Sequence, residues 1–120
     1  MTYQDIKNNL EMLPDPVDKL EMVMDIGRAL QPVPQGAVCH DIVGCASSVQ
    51  ICRAGNNFFA VADSALVRGI VAILISAVDG KTADEIRAMD LNQMFADLNL
   101  NLGAGRLNGV NSMIRFLQNL

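Results

Sequence analysis

The sequence has one histidine, His40, and three lysines, Lys7, Lys19 and Lys81. A Ser/His/Asp site could use only His40, and no serine elbow stands beside it. The lysines sit in polar helical or turn settings, which argues against a Schiff-base enzyme. No glycine-rich phosphate loop and no GxGxxG opening a helix after a strand occurs, and Gly103-x-Gly105 lacks either context. Clustered basic residues are missing too: the formal net charge is −4, whereas nucleic-acid binding leans on clustered Lys and Arg. The N-terminal stretch MTYQDIKNNL has neither the basic nor the apolar region of a signal peptide. The longest apolar run, Gly69 to Val78, is bracketed by Arg68 and Asp79 and falls far short of the about 20 residues that span a bilayer. These absences point to a cytoplasmic protein without membrane or nucleic-acid partners. Cysteines number three, and an odd number argues against a secreted disulfide framework. The thiols then read as buried groups, metal ligands or a reactive nucleophile.

What is present fits one domain over residues 1–120. The 120 residues are 51% hydrophobic, enough for one core, and no linker, repeat or low-complexity tract divides them. Thr2 with Asp5 forms a capping box for a first helix carrying Ile6, Leu10 and Leu13 on one face. Asp15 and Pro16 start a second helix, with Val17, Leu20, Val23 or Met24, and Ile26 or Leu30 as its apolar side, ended by Pro32 and Pro34. Asp5, Glu11, Asp15, Asp18, Glu21 and Asp25 give these two helices an acidic, solvated face, with an acidic contact surface as the functional alternative. Ala37 to Val43 is short and partly β-branched. Ser48 to Arg53 alternates, Val49 and Ile51 on one side and Ser48, Gln50 and Cys52 on the other. Ala54 to Asn57 is turn chemistry, and Phe58 to Ala62 returns. Asp63-Ser64 caps an apolar helix, Ala65 to Val78, closed at Gly80. Thr82 with Glu85 boxes a short helix, and Asp90 offers a looser cap for the next. Leu107, Val110, Ile114 and Leu117 share a face of a last helix. Helices, small sheet, helices: the fold class is α+β, a three-stranded antiparallel sheet packed against N-terminal and C-terminal helices.

The chemistry concentrates between Cys39 and Cys52. Cys45 follows Gly44 where one strand ends and the next begins, and glycine leaves the neighbouring thiol unshielded on one side. A thiolate needs access and a favourable environment, and sulfur transfer needs little more than one such thiol, by the substitution logic of thiol–disulfide exchange. Gly-Cys alone is more often structural. Cys39 and Cys52 read as packed or partly exposed thiols, and His40 as a surface residue, a base near Cys45 or a metal ligand. A metal or iron–sulfur scaffold built from Cys39, His40, Cys45 and Cys52 is the rival from another class, although the spacings do not match zinc-ribbon or common cluster patterns. A pure interaction domain with incidental thiols is the third reading.

Four elements in order then resemble one known family. Gly44-Cys45-Ala46-Ser47-Ser48-Val49 resembles the G-C-x-S-x-V motif of SufE and its relative CsdE. Asp63-Ser64-Ala65-Leu66-Val67-Arg68-Gly69-Ile70 is similar to the A-D-S-x-A-x-x-V-R-G stretch of that family. Gly80 to Ile86 resembles its G-x-T-x-x-E-I element, and Arg106-Leu107-Asn108-Gly109-Val110 with Met113 its R-x-N-G-x-x-x-M ending. The sequence departs from the family at Ala46 and Ser48, where larger polar residues are usual, and at Gln50, where an aromatic is. The resemblance implies a fold shared in outline with IscU-type scaffolds. It implies a sulfur carrier, not a free-standing enzyme, that takes persulfide sulfur from a PLP-dependent cysteine desulfurase of the SufS or CsdA kind. The carrier stimulates that enzyme and delivers sulfur to an iron–sulfur assembly scaffold. PLP then belongs to the partner, and this chain carries no cofactor and no metal of its own. A homodimer is left open. Cys45 matches the acceptor, Gly44 and Ser47 shape its loop, and Arg106 and Asn108 support it. Arg68 or Arg106 either caps structure or stands near Cys45 and favours its thiolate. The loop is expected to be mobile, so that the thiol can reach a partner and then protect a labile sulfur.

Overall fold

A computed structural model describes residues 1–120. Helix α1 (Tyr3–Glu11) starts on the capping box: the Thr2 hydroxyl accepts from the Asp5 amide and the Asp5 carboxylate from the Thr2 amide. The Thr2 amide, and after it the Thr2 hydroxyl, hold Asp5 below the ordinary carboxylate pKa, so this cap contributes above the ordinary value and is lost as pH falls through the lowered one. Ile6 and Leu10 are the residues α1 buries. Helix α2 (Pro16–Gly27) begins with Asp15 accepting from the Val17 amide. It ends at Gly27, before the prolines, and of its expected apolar side only Val23 is fully buried; Val17 is 62% exposed.

The centre of the molecule is α3 (Ala65–Val78), begun by Ser64 accepting from Val67. Nine of its residues are buried, on nearly every side, as expected of a helix apolar all round. Each fully buried Ile or Leu there is worth about 1.5–3 kcal/mol. Helix α2 lies on α3 at backbone distance: a Cβ on Gly69 would come within 1.9 Å of the Val23 carbonyl oxygen, and one on Gly27 within 2.6 Å of the Gly69 nitrogen. Helices α4 (Ala83–Arg87) and α5 (Leu91–Ala96) follow their boxes and caps at Thr82 and Asp90. Helix α6 (Ala104–Gln118) packs on α3, α4 and α5 and buries Val110, Ile114 and Leu117, while Leu107 in its first turn stays exposed.

The sheet order is β1 (Val38–Asp41), β2 (Val49–Ala54), β3 (Asn57–Ala62), antiparallel throughout. Ala54 pairs with Asn57, so Gly55-Asn56 is a two-residue turn, with Gly55 at φ +62° as primed hairpin turns require. The turn is tied to the end of α3: the Asp79 carboxylate accepts from the Phe58 amide and the Gly80 amide donates to the Asn56 carbonyl. Val49, Ile51, Phe58, Ala60 and Ala62 form the buried inner face.

The outer face carries the main departure from expectation. Cys39 and Cys52 are joined in a disulfide, with Cα atoms 4.0 Å apart, and do not stand as separate packed thiols. The register explains it. Cys39 lies directly opposite Cys52. The Ile42 amide donates to the Val49 carbonyl, and three residues further along an antiparallel ladder falls a non-hydrogen-bonded pair, where Cα atoms approach most closely. An odd cysteine count excludes complete pairing but not one bridge and one free thiol.

The Gly69→Ala variant is expected to lose about 3 kcal/mol, the upper end of the overpacking range, because the new methyl meets backbone. Urea unfolding checks this; a midpoint within experimental error of the parent would show that the two helices can slide apart without loss.

Candidate functional site

The loop 43–48 joins β1 to β2 and presents Cys45, the free cysteine. Two contacts with α6 seat it. Gly44 has φ +95° and lies so close to α6 that a Cβ there would be 2.6 Å from the Ser112 hydroxyl; glycine is needed for both reasons. Ser112 is buried, donates to the Asn108 carbonyl and accepts from the Arg115 guanidinium. One turn of α6 earlier, Gly109 faces Cys45. The thiol donates weakly to the Gly109 carbonyl, Sγ to oxygen 3.6 Å, and a Cβ on Gly109 would stand 3.4 Å from Sγ.

Half-buried Cys45 borders a cavity of about 250 Å³, whose other walls include Ser47, Ser64, Val67, Arg106 and Met113. Burial pushes the Cys45 thiol above its ordinary pKa. A buried thiolate lacks the water that would stabilise its charge. At rest the site therefore holds a protonated thiol, sheltered on one side and open to a small, partly apolar space on the other.

The residues singled out from sequence fall in several places. Ser47 and Arg106 line the cavity with Cys45. Asn108 is exposed and enters through its backbone carbonyl, which holds Ser112. Arg68 is turned away: its Nε donates to the Ala62 carbonyl at 2.8 Å and Nη2 to that of Asp63 at 3.5 Å, so it caps the end of β3. His40 stacks at 5.3 Å, tilted, on Phe116, and takes no part in the cavity wall. The four-donor metal arrangement is not assembled. Cys39 and Cys52 are bonded to each other, and no three His, Cys, Asp or Glu side chains converge as a metal set. Sequence reasoning passed over Gly109 and Ser112 as site residues. Gly109 stands within the RLNGV stretch, but only the packing of α6 under the loop gives it a task.

Comparison with known proteins finds relatives of this chain. The family model SufE, Fe-S metabolism associated domain, matches residues 4–120. The sulfur acceptor protein CsdE of Escherichia coli is 30% identical, over 94% of this chain and 83% of its own length. A SufE-like protein of Rhizobium etli is 31% identical, over 92% of this chain and 82% of that one. In fold, a solution structure of a protein from Thermus thermophilus matches 99% of this chain and 94% of its own, with TM-score 0.64 at 16% identity.

Two outcomes follow from the seat. Because burial raises the Cys45 pKa, the thiolate fraction at neutral pH is lower than for an ordinary thiol. The alkylation rate of the folded protein should climb with pH through a higher midpoint than in urea; an equal or lower midpoint would refute burial as its cause. Gly44→Ala, which meets both positive φ and the Ser112 hydroxyl, should cost about 1–2 kcal/mol and speed Cys45 alkylation at neutral pH, measured by urea unfolding and by mass spectrometry.

Proposed function

This chain belongs to the SufE family, and on that premise we propose that it is a cytoplasmic sulfur carrier whose acceptor is Cys45. A PLP-dependent cysteine desulfurase supplies the sulfur, and an iron–sulfur assembly scaffold receives it. The observation that carries the reading is a free thiol on a glycine-seated loop beside a cavity, at the position that matches the acceptor motif.

The chemistry is one substitution. The Cys45 thiolate attacks the outer sulfur of the desulfurase persulfide. A new S–S bond forms at Cys45, the old one breaks, and the desulfurase cysteine leaves as its thiolate. The Cys45 proton must depart first, and it is directed at the Gly109 carbonyl, which is no base. Docking on the desulfurase is therefore the step that frees the thiol: the loop leaves α6, Cys45 becomes solvated or meets a partner base, and its pKa falls. Returned to its seat, the loop points the outer sulfur towards the cavity, where the walls of Val67 and Met113 keep water and stray thiols from it. Arg106, exposed at the rim, stands where it can contact the partner or the terminal sulfur. Stimulation of the desulfurase follows from emptying its persulfide, which returns its cysteine for another turnover.

Incubation with a cysteine desulfurase and cysteine should add one sulfur atom to the intact mass, mapped to Cys45. Cys45→Ser should lose both this adduct and the stimulation of turnover. Cys39→Ser and Cys52→Ser should keep most of both. Full stimulation by Cys45→Ser, with sulfide as the product, would overturn the acceptor assignment.

A further inference from the structure

The Cys39–Cys52 disulfide plays no part in the sulfur transfer described above, yet it bridges the two strands that carry the acceptor loop. It sits on the outer face of the sheet, with Cys39 exposed and Cys52 fully buried. Strand β1 is the edge of the sheet, and all four of its residues are exposed. Its attachments are few: the ladder to β2, the bond from the Gln50 side-chain amide to the Asp41 carboxylate at 2.9 Å, the His40 ring on Phe116, the buried Ile42 that follows it and is hydrogen-bonded to Val49, and this bridge. Strand β2 is central and paired on both sides, and β3 is fastened to α3 through Asp79 and Gly80. The loop 43–48 thus has one firm end, at β2, and one end held by the disulfide together with the single core side chain of Ile42.

We infer that the Cys39–Cys52 pair is a redox clamp on the acceptor loop, opened by a dithiol reductant. Oxidised, it holds β1 in register and keeps Cys45 seated on Gly109. Reduced, it lets β1 and the start of the loop move away from the sheet, and Cys45 becomes accessible. The inference rests on the sulfur-carrier reading for its purpose but not for its mechanics. Disulfides in reducing compartments are characteristically transient or redox-sensing, which suits a bridge exposed at Cys39 in a chain read as cytoplasmic.

The exchange balances. A reductant thiolate attacks the sulfur of exposed Cys39, the S–S bond breaks, and Cys52 leaves as a thiolate that takes up a proton. The second thiol of the reductant then attacks the mixed disulfide, releasing Cys39 as a thiol and leaving the reductant as its disulfide. Two electrons and two protons pass from the dithiol to the pair. The direction of attack follows from exposure, since Cys52 cannot be reached from outside.

The test uses the full chain and iodoacetamide, with no desulfurase, so that failure of the carrier reading would not disturb it. The protein is oxidised with glutathione disulfide and the fraction whose intact mass shows no glutathione on Cys45 is kept, or it is reduced with a dithiol that is then removed anaerobically, and the alkylation of Cys45 is timed by mass spectrometry. Reduction should accelerate it roughly fivefold or more, the scale of a local opening well short of global unfolding. The helical circular-dichroism signal should be unchanged. The Cys39→Ser/Cys52→Ser variant, with Cys45 its single cysteine, should be fast under both treatments; if that variant does not fold, the two states of the parent protein decide. Equal rates in both states would overturn the clamp, as would three free thiols after oxidation, or loss of the whole fold on reduction, which would make the bridge a staple.

Discussion

The contact between Cys45 and the backbone of Gly109 governs the rest of the site. A nucleophile on a loop is either free in water, where its thiolate forms readily and any sulfur it carries is exposed, or seated against the protein, where both are suppressed. Here the loop is let down onto α6 by two glycines, one on each side of the contact. Gly44 allows the backbone to turn and approach Ser112; Gly109 leaves room for the sulfur and offers a carbonyl for its proton. A side chain at Gly44 would push the loop off Ser112, and at Gly109 a Cβ alone would already fill the space up to contact with the sulfur. The core serves the same end, since α3 and α6 pack together and fix the floor on which the loop rests.

Electrostatics around the seat favour the thiol over the thiolate. Burial raises the Cys45 pKa, and the arginine adjacent in the chain to the cavity-wall residue Val67, Arg68, is committed to the carbonyls at the end of β3. The thiol is held inactive by desolvation, an effect that vanishes when water or a partner reaches it.

The elements legible in the sequence were those set by neighbours in the chain. Thr2 with Asp5, Asp15 with Pro16, and Thr82 with Glu85 each carry their cap within a few residues, and each starts a helix where expected. The alternation of Val49 and Ile51 against Cys52 marked the two faces of β2. What escaped depended on distant partners. Val17 and Leu107 fit the apolar periodicity of their helices but stay exposed. The disulfide depends on the register of β1 on β2, which the conformation of loop 43–48 determines and no local pattern encodes. Of the site, the cysteine and its loop stood out as a motif. The floor beneath it, Gly109 and Ser112, lies more than sixty residues further on and belongs to the site only through tertiary packing.

The fastening of the hairpin turn to the end of α3 has a mechanical consequence. With Asp79 gripping Phe58 and Gly80 gripping Asn56, β3 behaves as a door frame bolted to the wall, and β2 as the hinge post beside it. Only β1 can swing. On that side the chain passes straight from β1 into Ile42, which is buried in the core and hydrogen-bonded to Val49, so any displacement of the amino-terminal side of the loop has to draw this side chain out of the interior.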